Sequence, residues 1–381
     1  MDFALSEDQV MFQKMVRDFA TRELEPIAAR IDETEEFPAQ SIQKMAGLGL
    51  FGITIDEKYG GCGGDSVQLA IATEEIARAC AATSAIYLAS LSLATFPIAR
   101  FGTEEQKQHF LPRLAQGKTL ACFALTESGA GSDPAAMETT AKKQGGGYVL
   151  NGNKVFITNG AEAGVTVAFA TLDKSQGHRA ITGFIVEKGT PGYSVGKKEK
   201  KLGIRASSTA QLVFEDCWVP ASQVLGGEGK GFRVALEAID SSRISVAGQA
   251  VGIARAAFEA ALKYSQERQQ FGKPIVEFQG IGWMLADMAT QIDAARLLTL
   301  RAAWLKDKGL SFVKEACMAK LFAAESAMQI AIKAVQVHGG YGYIKDYPVE
   351  RYMRDAKITE IYEGTNEMQR MTILRHLLWG G

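Results

Sequence analysis

Along residues 1 to about 118, apolar side chains recur at helical spacing. Phe12, Met15, Val16 and Phe19 stand at i, i+3, i+4 and i+7, behind a Ser6/Gln9 capping box. A second helix is expected after Pro38, a glycine cluster at 60–64 breaks the chain, and further helices are expected over 65–79, 84–100 and 103–116. From about 119 to 225 the period shortens. Val165, Val167 and Phe169 alternate with smaller residues, and 181–186 and 211–214 are short and β-prone. Turn residues at 145–147, Asn151-Gly152, Asn159-Gly160 and Pro191-Gly192 crowd between them, which predicts a compact sandwich or barrel. Beyond Gly231 the pattern returns to helix and is expected to stay helical. There Ile281, Leu285, Met288, Ile292, Ala295, Thr299 and Ala302 form a near-heptad stripe, and Leu297, Leu300 and Trp304 extend the apolar surface outside it. A helix apolar on more than one side is buried in a bundle or used at a subunit interface. The expected fold class is α+β and mostly helical: an N-terminal helical domain (1–118), a middle β-domain (119–228) and a C-terminal helical domain (229–381). The order does not alternate as a βαβ protein would.

Composition narrows the function classes. The 381 residues amount to about 2.5 domains' worth of chain. Lys+Arg of 42 against Asp+Glu of 43 lacks the basic surplus of a nucleic-acid binder. No run of about 18 apolar residues stands out, so no membrane span is expected. Five cysteines without CxxC spacing fit a reducing compartment. The early acids Asp2, Glu7 and Asp8 do not resemble a leader peptide, so a cytoplasmic protein is expected.

Several motifs are weak. Gly47–Gly52 matches GxGxxG, but 41–46 reads as helix, whereas a dinucleotide fingerprint follows a strand. His109, His178, His338 and His376 stand apart, without metal-ligand spacing. Lys197–Lys201 reads as a solvated turn. The run Phe123-Ala-Leu125-Thr126-Glu-Ser-Gly-Ala-Gly131-Ser132 carries a strand into small residues. That suits a tight sheet turn, or close approach of backbone N–H groups to an anion or flat ring. Phe156-Ile157-Thr158 is equally open. Arg268, beside Phe271-Gly272, falls at a helix end, and Gln336-Val337-His-Gly339-Gly340 reads as a helix C-cap. In Ile361-Tyr-Glu363-Gly364-Thr365-Asn366-Glu367, one acid stands among apolar neighbours before a glycine. It is a candidate general base, since desolvation raises a carboxyl pKa toward neutrality, or else a surface glutamate before a helix.

Taken together, the helix–β–helix blocks and the runs FALTESGAGSD, FITNG, ERQQFG, QVHGGYGY and IYEGTNEMQR resemble the acyl-CoA dehydrogenase family, and most closely its short-chain branch, over essentially the whole chain. The resemblance implies that the C-terminal domain is a four-helix bundle, that the assembly is a homotetramer (a dimer of dimers), and that FAD lies between the middle and C-terminal domains. Phe123, Leu125, Thr126, Gly131, Ser132, Phe156, Ile157 and Thr158 would line the flavin. Arg268, Phe271, Gln279, Gln336, Val337, Gly339 and Gly340 would bind the rest of the cofactor, from a partner subunit. Thr365, Asn366 and Glu367 would return to it. Ser132, Asp240, Ser241, Ser242, Arg243 and Gly364 match positions that hold the CoA thioester.

By the same resemblance, Glu363 takes the α-proton of the acyl thioester while a hydride leaves Cβ for flavin N5, and electrons pass on to an electron-transfer flavoprotein. In sister branches the base stands on another helix, at the position of Ser242. Glutaryl-type enzymes place an arginine near Ser84, so its absence implies an uncharged tail. Phe156 stands where many relatives have tryptophan. Branched or medium-chain substrates, an oxygen-using oxidase and a silent acyl-CoA-binding protein are the alternatives.

Overall fold

The computed structural model describes residues 4–380; Asp2, with the rest of 1–3 and residue 381, lies outside them. The N-terminal helices are α1 (Glu7–Phe19), α2 (Ala28–Thr34), α3 (Ala39–Gly47), α4 (Ser66–Ala79), α5 (Ala81–Leu88), α6 (Phe96–Phe101) and α7 (Glu104–Ala115). Capping boxes at Ser6/Gln9, Asp65/Gln68 and Thr103/Gln106 fix the starts of α1, α4 and α7 by satisfying first-turn N–H groups. The segment Gly47–Gly52 follows helix α3, as its sequence required.

Residues 81–101 run as one helical stretch, with π-helical winding over Ala89–Thr95. By length and composition this stretch could cross a membrane, which corrects the expectation that no such run exists. Its most apolar window is 89% buried inside the protein, so its apolarity serves the core.

The middle block is one eight-stranded sheet: β1 (Ala121–Ala124), β2 (Thr140–Gln144), β3 (Gly147–Thr158), β4 (Val165–Thr171), β5 (Ile181–Glu187), β6 (Tyr193–Lys198), β7 (Thr209–Pro220) and β8 (Val224–Leu225). The order is β6-β7-β3-β2-β4-β5-β8, with β1 pairing parallel to β4. Asn151-Gly152 is a bulge within β3 rather than a turn. Gly152 has φ +150°, and a Cβ there would stand 2.4 Å from Thr139 Oγ1. Lys197 and Lys198 end the edge strand β6, while Lys201 is half-buried with its ammonium 2.6 Å from the Ser207 carbonyl, so that cluster is not a simple solvated turn.

Helix α8 (Gly231–Glu267) is followed by a two-stranded hairpin, β9 (Gln269–Gln270) and β10 (Lys273–Pro274), which interrupts the expected all-helical run. Then come α9 (Gln279–Asp307), α10 (Val313–His338), α11 (Val349–Ala356) and α12 (Asn366–Trp379). On α9 the stripe from Leu285 to Ala302 is buried, whereas Leu297 and Trp304 are exposed. Helices α1, α4, α8 and α9 are tied by an ionic cluster. Glu74 meets Arg255 and Arg296, each at 2.6 Å, and Glu75 meets Arg17 and Arg255, each at 2.8 Å. Burial pushes the Glu75 carboxyl up, but its two arginines outweigh that and hold it below the ordinary value.

Candidate active site

The site forms where the turn between α11 and α12 meets the middle of α8 and α10. Glu363 has a left-handed φ of +52° and Gly364 one of +92°. A side-chain-bearing residue in that region stores strain that its surroundings must hold. Here the holding groups are explicit. Lys320 on α10 donates to the Gly364 carbonyl at 2.9 Å and to Asn366 Oδ1 at 3.1 Å. Gln369 Nε2 donates to the same carbonyl at 2.8 Å, and Thr365 caps α12 through the Met368 N–H.

The Glu363 carboxylate accepts from the Ser242 hydroxyl of α8. Burial pushes its pKa up to about 7, against the opposing pull of that hydrogen bond, Lys320 and Arg243. Lys320 is itself desolvated, down to about 8, with Glu363 the main counterweight. The carboxyl is therefore poised near neutrality, which is what a general base requires. Beside it, Arg243 donates to Asp240 at 2.6 Å and to Cys317 Sγ at 3.1 Å. Arg243 Nε is buried without a hydrogen-bond partner among the described residues. The backbone N–H of Glu363 likewise has no protein acceptor among them, which leaves two donors for a ligand.

Asp240, Ser242, Arg243, Glu363, Gly364, Thr365 and Asn366 are thus drawn together. Glu367 is exposed, and Ser241 faces away from Glu363, its hydroxyl accepting from Lys306 at 2.6 Å. Lys320, Gln369 and Cys317 were not anticipated. Lys320 had a readable signal: it falls on the buried face of α10 marked by Ala316, Ala319, Ala323 and Ala327, where a lysine needs a polar partner.

A second group lies on the sheet. The end of β1 meets β3 through Val155 N–H to the Thr126 carbonyl at 2.9 Å, which brings the Thr126–Ser132 turn beside 155–158. Buried Glu127 pins that turn: it pairs with Lys154 at 2.7 Å and accepts from the N–H groups of Glu138 and Thr139. Phe123, Leu125 and Ile157 are buried, and Thr158 is half-buried. Gly131 and Ser132 are exposed, and Phe156 takes φ +60° with its ring 64% exposed, a flat apolar platform at the surface.

A third group closes a cleft of about 500 Å³ at the far end of α8. Arg268, Val337, Gly339 and Gly340 line it together with Tyr264, His338 and Tyr341. The Arg268 guanidinium stands 5.8 Å from the Tyr341 ring centre, and His338 stacks on Tyr264 at 4.3 Å. A Cβ at Gly339 or Gly340 would meet nothing within 4 Å, so backbone is open to a ligand there. Phe271, Gln279 and Gln336 are exposed nearby in sequence and do not line the cleft. An aromatic platform beside a glycine-rich turn suits a flavin ring, and a cationic glycine-flanked cleft suits a dinucleotide's pyrophosphate and adenosine.

The family models for acyl-CoA dehydrogenase match three parts: the N-terminal domain over 6–118, the middle domain over 122–217 and the C-terminal domain over 229–378. A short-chain-specific acyl-CoA dehydrogenase of Clostridium acetobutylicum is 51% identical over 98% of each chain. The butyryl-CoA dehydrogenase structure from Megasphaera elsdenii superposes with TM-score 0.98 at 47% identity, covering 99% of this chain and 100% of that one. A structure reported with the electron transferring flavoprotein of Acidaminococcus fermentans gives TM-score 0.98 at 49% identity, with full coverage of both chains. An FAD complex of PigA gives 0.96 at 31%, also with full coverage of both. Fold, site and sequence agree over the whole length: the chain belongs to the acyl-CoA dehydrogenase family.

Proposed function

We propose that Glu363 is the base of an FAD-dependent α,β-dehydrogenation that converts a short, uncharged acyl-CoA to the trans-2-enoyl-CoA. The observation that carries this is one carboxyl, held in a strained turn and desolvated to a pKa of about 7, beside a free backbone N–H and an unpaired arginine nitrogen. The α-proton of a thioester is very weakly acidic. Removing it needs a base ionised at neutral pH and donors aimed at the thioester oxygen as negative charge develops. The Glu363 N–H is placed to be one such donor, and Asp240 and Arg243 give polar contacts for the CoA portion. Ser242 and Lys320 keep enough of Glu363 ionised to act. When bound, FAD supplies the two-electron acceptor for the hydride from Cβ. Phe123, Thr126, Phe156 and Thr158 would hold the ring on the sheet side.

An uncharged tail is supported at Ser84, where glutaryl-type enzymes carry an arginine. Ser84 is buried and bonded to the Thr73 carbonyl, with no cation at that position. The short-chain and butyryl-CoA relatives support a short one.

We infer a homotetramer, and a distance supports the neighbouring subunit it requires. Arg268 lies 26 residues beyond Ser242 along α8 and its cap, about 39 Å at 1.5 Å per residue, farther than one dinucleotide spans. The Arg268 cleft therefore serves the flavin of a neighbouring subunit in this reading. The exposed Leu297 and Trp304 give α9 an apolar face for such packing. Electrons pass to an electron-transfer flavoprotein, as the Acidaminococcus structure suggests. Five free cysteines fit the cytoplasm.

The test is anaerobic. The purified yellow protein should bleach on butyryl-CoA, and Glu363→Gln should stay yellow without bleaching. Full reduction by Glu363→Gln would remove Glu363 from the mechanism.

A further inference from the structure

We propose that a cavity of about 220 Å³ behind α8 binds a small amphipathic carboxylate, with its head on Lys306 and its tail on Leu69, Leu91 and Phe96. The cavity lies between the start of α4, the 89–101 helical segment, α8 at Ser241 and the end of α9, and its lining shares no residue with the Glu363 site. Ser241 and Ser242 are consecutive on α8, so their side chains diverge by about 100°. Ser242 meets Glu363, and Ser241 meets Lys306.

The Lys306 ammonium donates to Ser241 Oγ at 2.6 Å and stands 5.1 Å from the Phe96 ring centre. No carboxylate lies within ion-pair distance of it among the described residues. Asp307 lines the same cavity, but it accepts from the N–H groups of Ser66 at 2.9 Å and Val67 at 3.2 Å and so serves the start of α4. Asp65, the other acid of the lining, is engaged with Gln68 as the α4 cap. Ser241 and Phe96, which face Lys306 from α8 and the 89–101 segment, are uncharged. Lys306 is half-buried without an ion-pair partner, and burial lowers it to about 8 against the opposing pull of Asp307.

An anion would supply the missing charge. At roughly 30 Å³ per water, the cavity has room for about seven waters, enough for a carboxylate of a few carbons. The apolar side chains of the lining, Leu69, Leu91 and Phe96, select a carboxylate with a tail over a bare inorganic ion. The mechanism proposed above uses none of these groups.

The experiment is calorimetric titration of the flavin-loaded enzyme with sodium butyrate, with saturating crotonyl-CoA occupying the active site. One butyrate should bind per chain at pH 7, butyramide should not bind, and Lys306→Met should weaken binding at least tenfold. Because the ammonium is the binding form, affinity should fall about tenfold from pH 7 to pH 9. Unchanged binding by Lys306→Met, equal binding of butyramide, or a flat pH dependence overturns the proposal. Equal displacement by chloride overturns the selection for a tailed carboxylate. If Lys306→Met does not fold, the butyramide and pH measurements on the unmodified enzyme decide it.

Discussion

Removing the Ser242 hydroxyl tests the electrostatic logic of the site. In Ser242→Ala the Glu363 carboxylate loses the hydrogen bond that stabilises its ionised form. Bonds to charged groups contribute about 1.5–3 kcal/mol, or about 1–2 pKa units at 1.36 kcal/mol each. Glu363 keeps some contact with solvent, so the lower end applies: about one unit, from about 7 to about 8. At pH 7 the ionised fraction would fall from about a half to about a tenth, and kcat/KM about fivefold, with recovery by pH 9. Ser242→Thr, which keeps a hydroxyl, should restore the original profile. The assay is kcat/KM for butyryl-CoA against pH with a dye acceptor, alongside anaerobic flavin reduction in single turnover. An acid limb in Ser242→Ala that overlays the parent, or moves to lower pH, would refute this account of the base.

Gly364→Ala puts a Cβ 2.9 Å from Gln369 Nε2 at φ +92°, so kcat should fall at least tenfold with the yellow colour retained, read by steady-state rates and absorbance. Arg255→Ala leaves Glu74 to Arg296 alone and Glu75 to Arg17 alone and should cost about 1.5–3 kcal/mol in a denaturant titration; a loss under 1 kcal/mol would mean the cluster is solvated. Arg268→Ala should weaken FAD retention about tenfold, measured by flavin fluorescence on dilution, because the cleft loses its cation for the pyrophosphate.

The helices were legible because their signals are local. The capping boxes at Ser6, Asp65 and Thr103 involve residues three apart, and the α9 stripe from Leu285 to Ala302 repeats at a period the backbone imposes. The Asn151-Gly152 dipeptide reads as a turn but is a bulge, because what demands a glycine there is Thr139, packed where a Cβ at 152 would stand, and the dipeptide does not reveal it. The 81–101 stretch does not stand out as an apolar run because its serines and threonines dilute it. Their hydroxyls bond back to the helix, as Ser92 does to Leu88 and Thr95 to Ser90.

By itself, the sequence determined the helix–sheet–helix order, the acid at 363 before a glycine, and the motif runs whose sum points to one family. Only the tertiary structure decided what that acid is worth. Its pKa depends on Ser242, 121 positions away, and on Lys320 and Arg243 from two helices, because desolvation and Coulomb terms act through space rather than along the chain. The same holds for Ser241 and Lys306: adjacency to Ser242 suggested one site, and the turn of a helix assigned Ser241 to another.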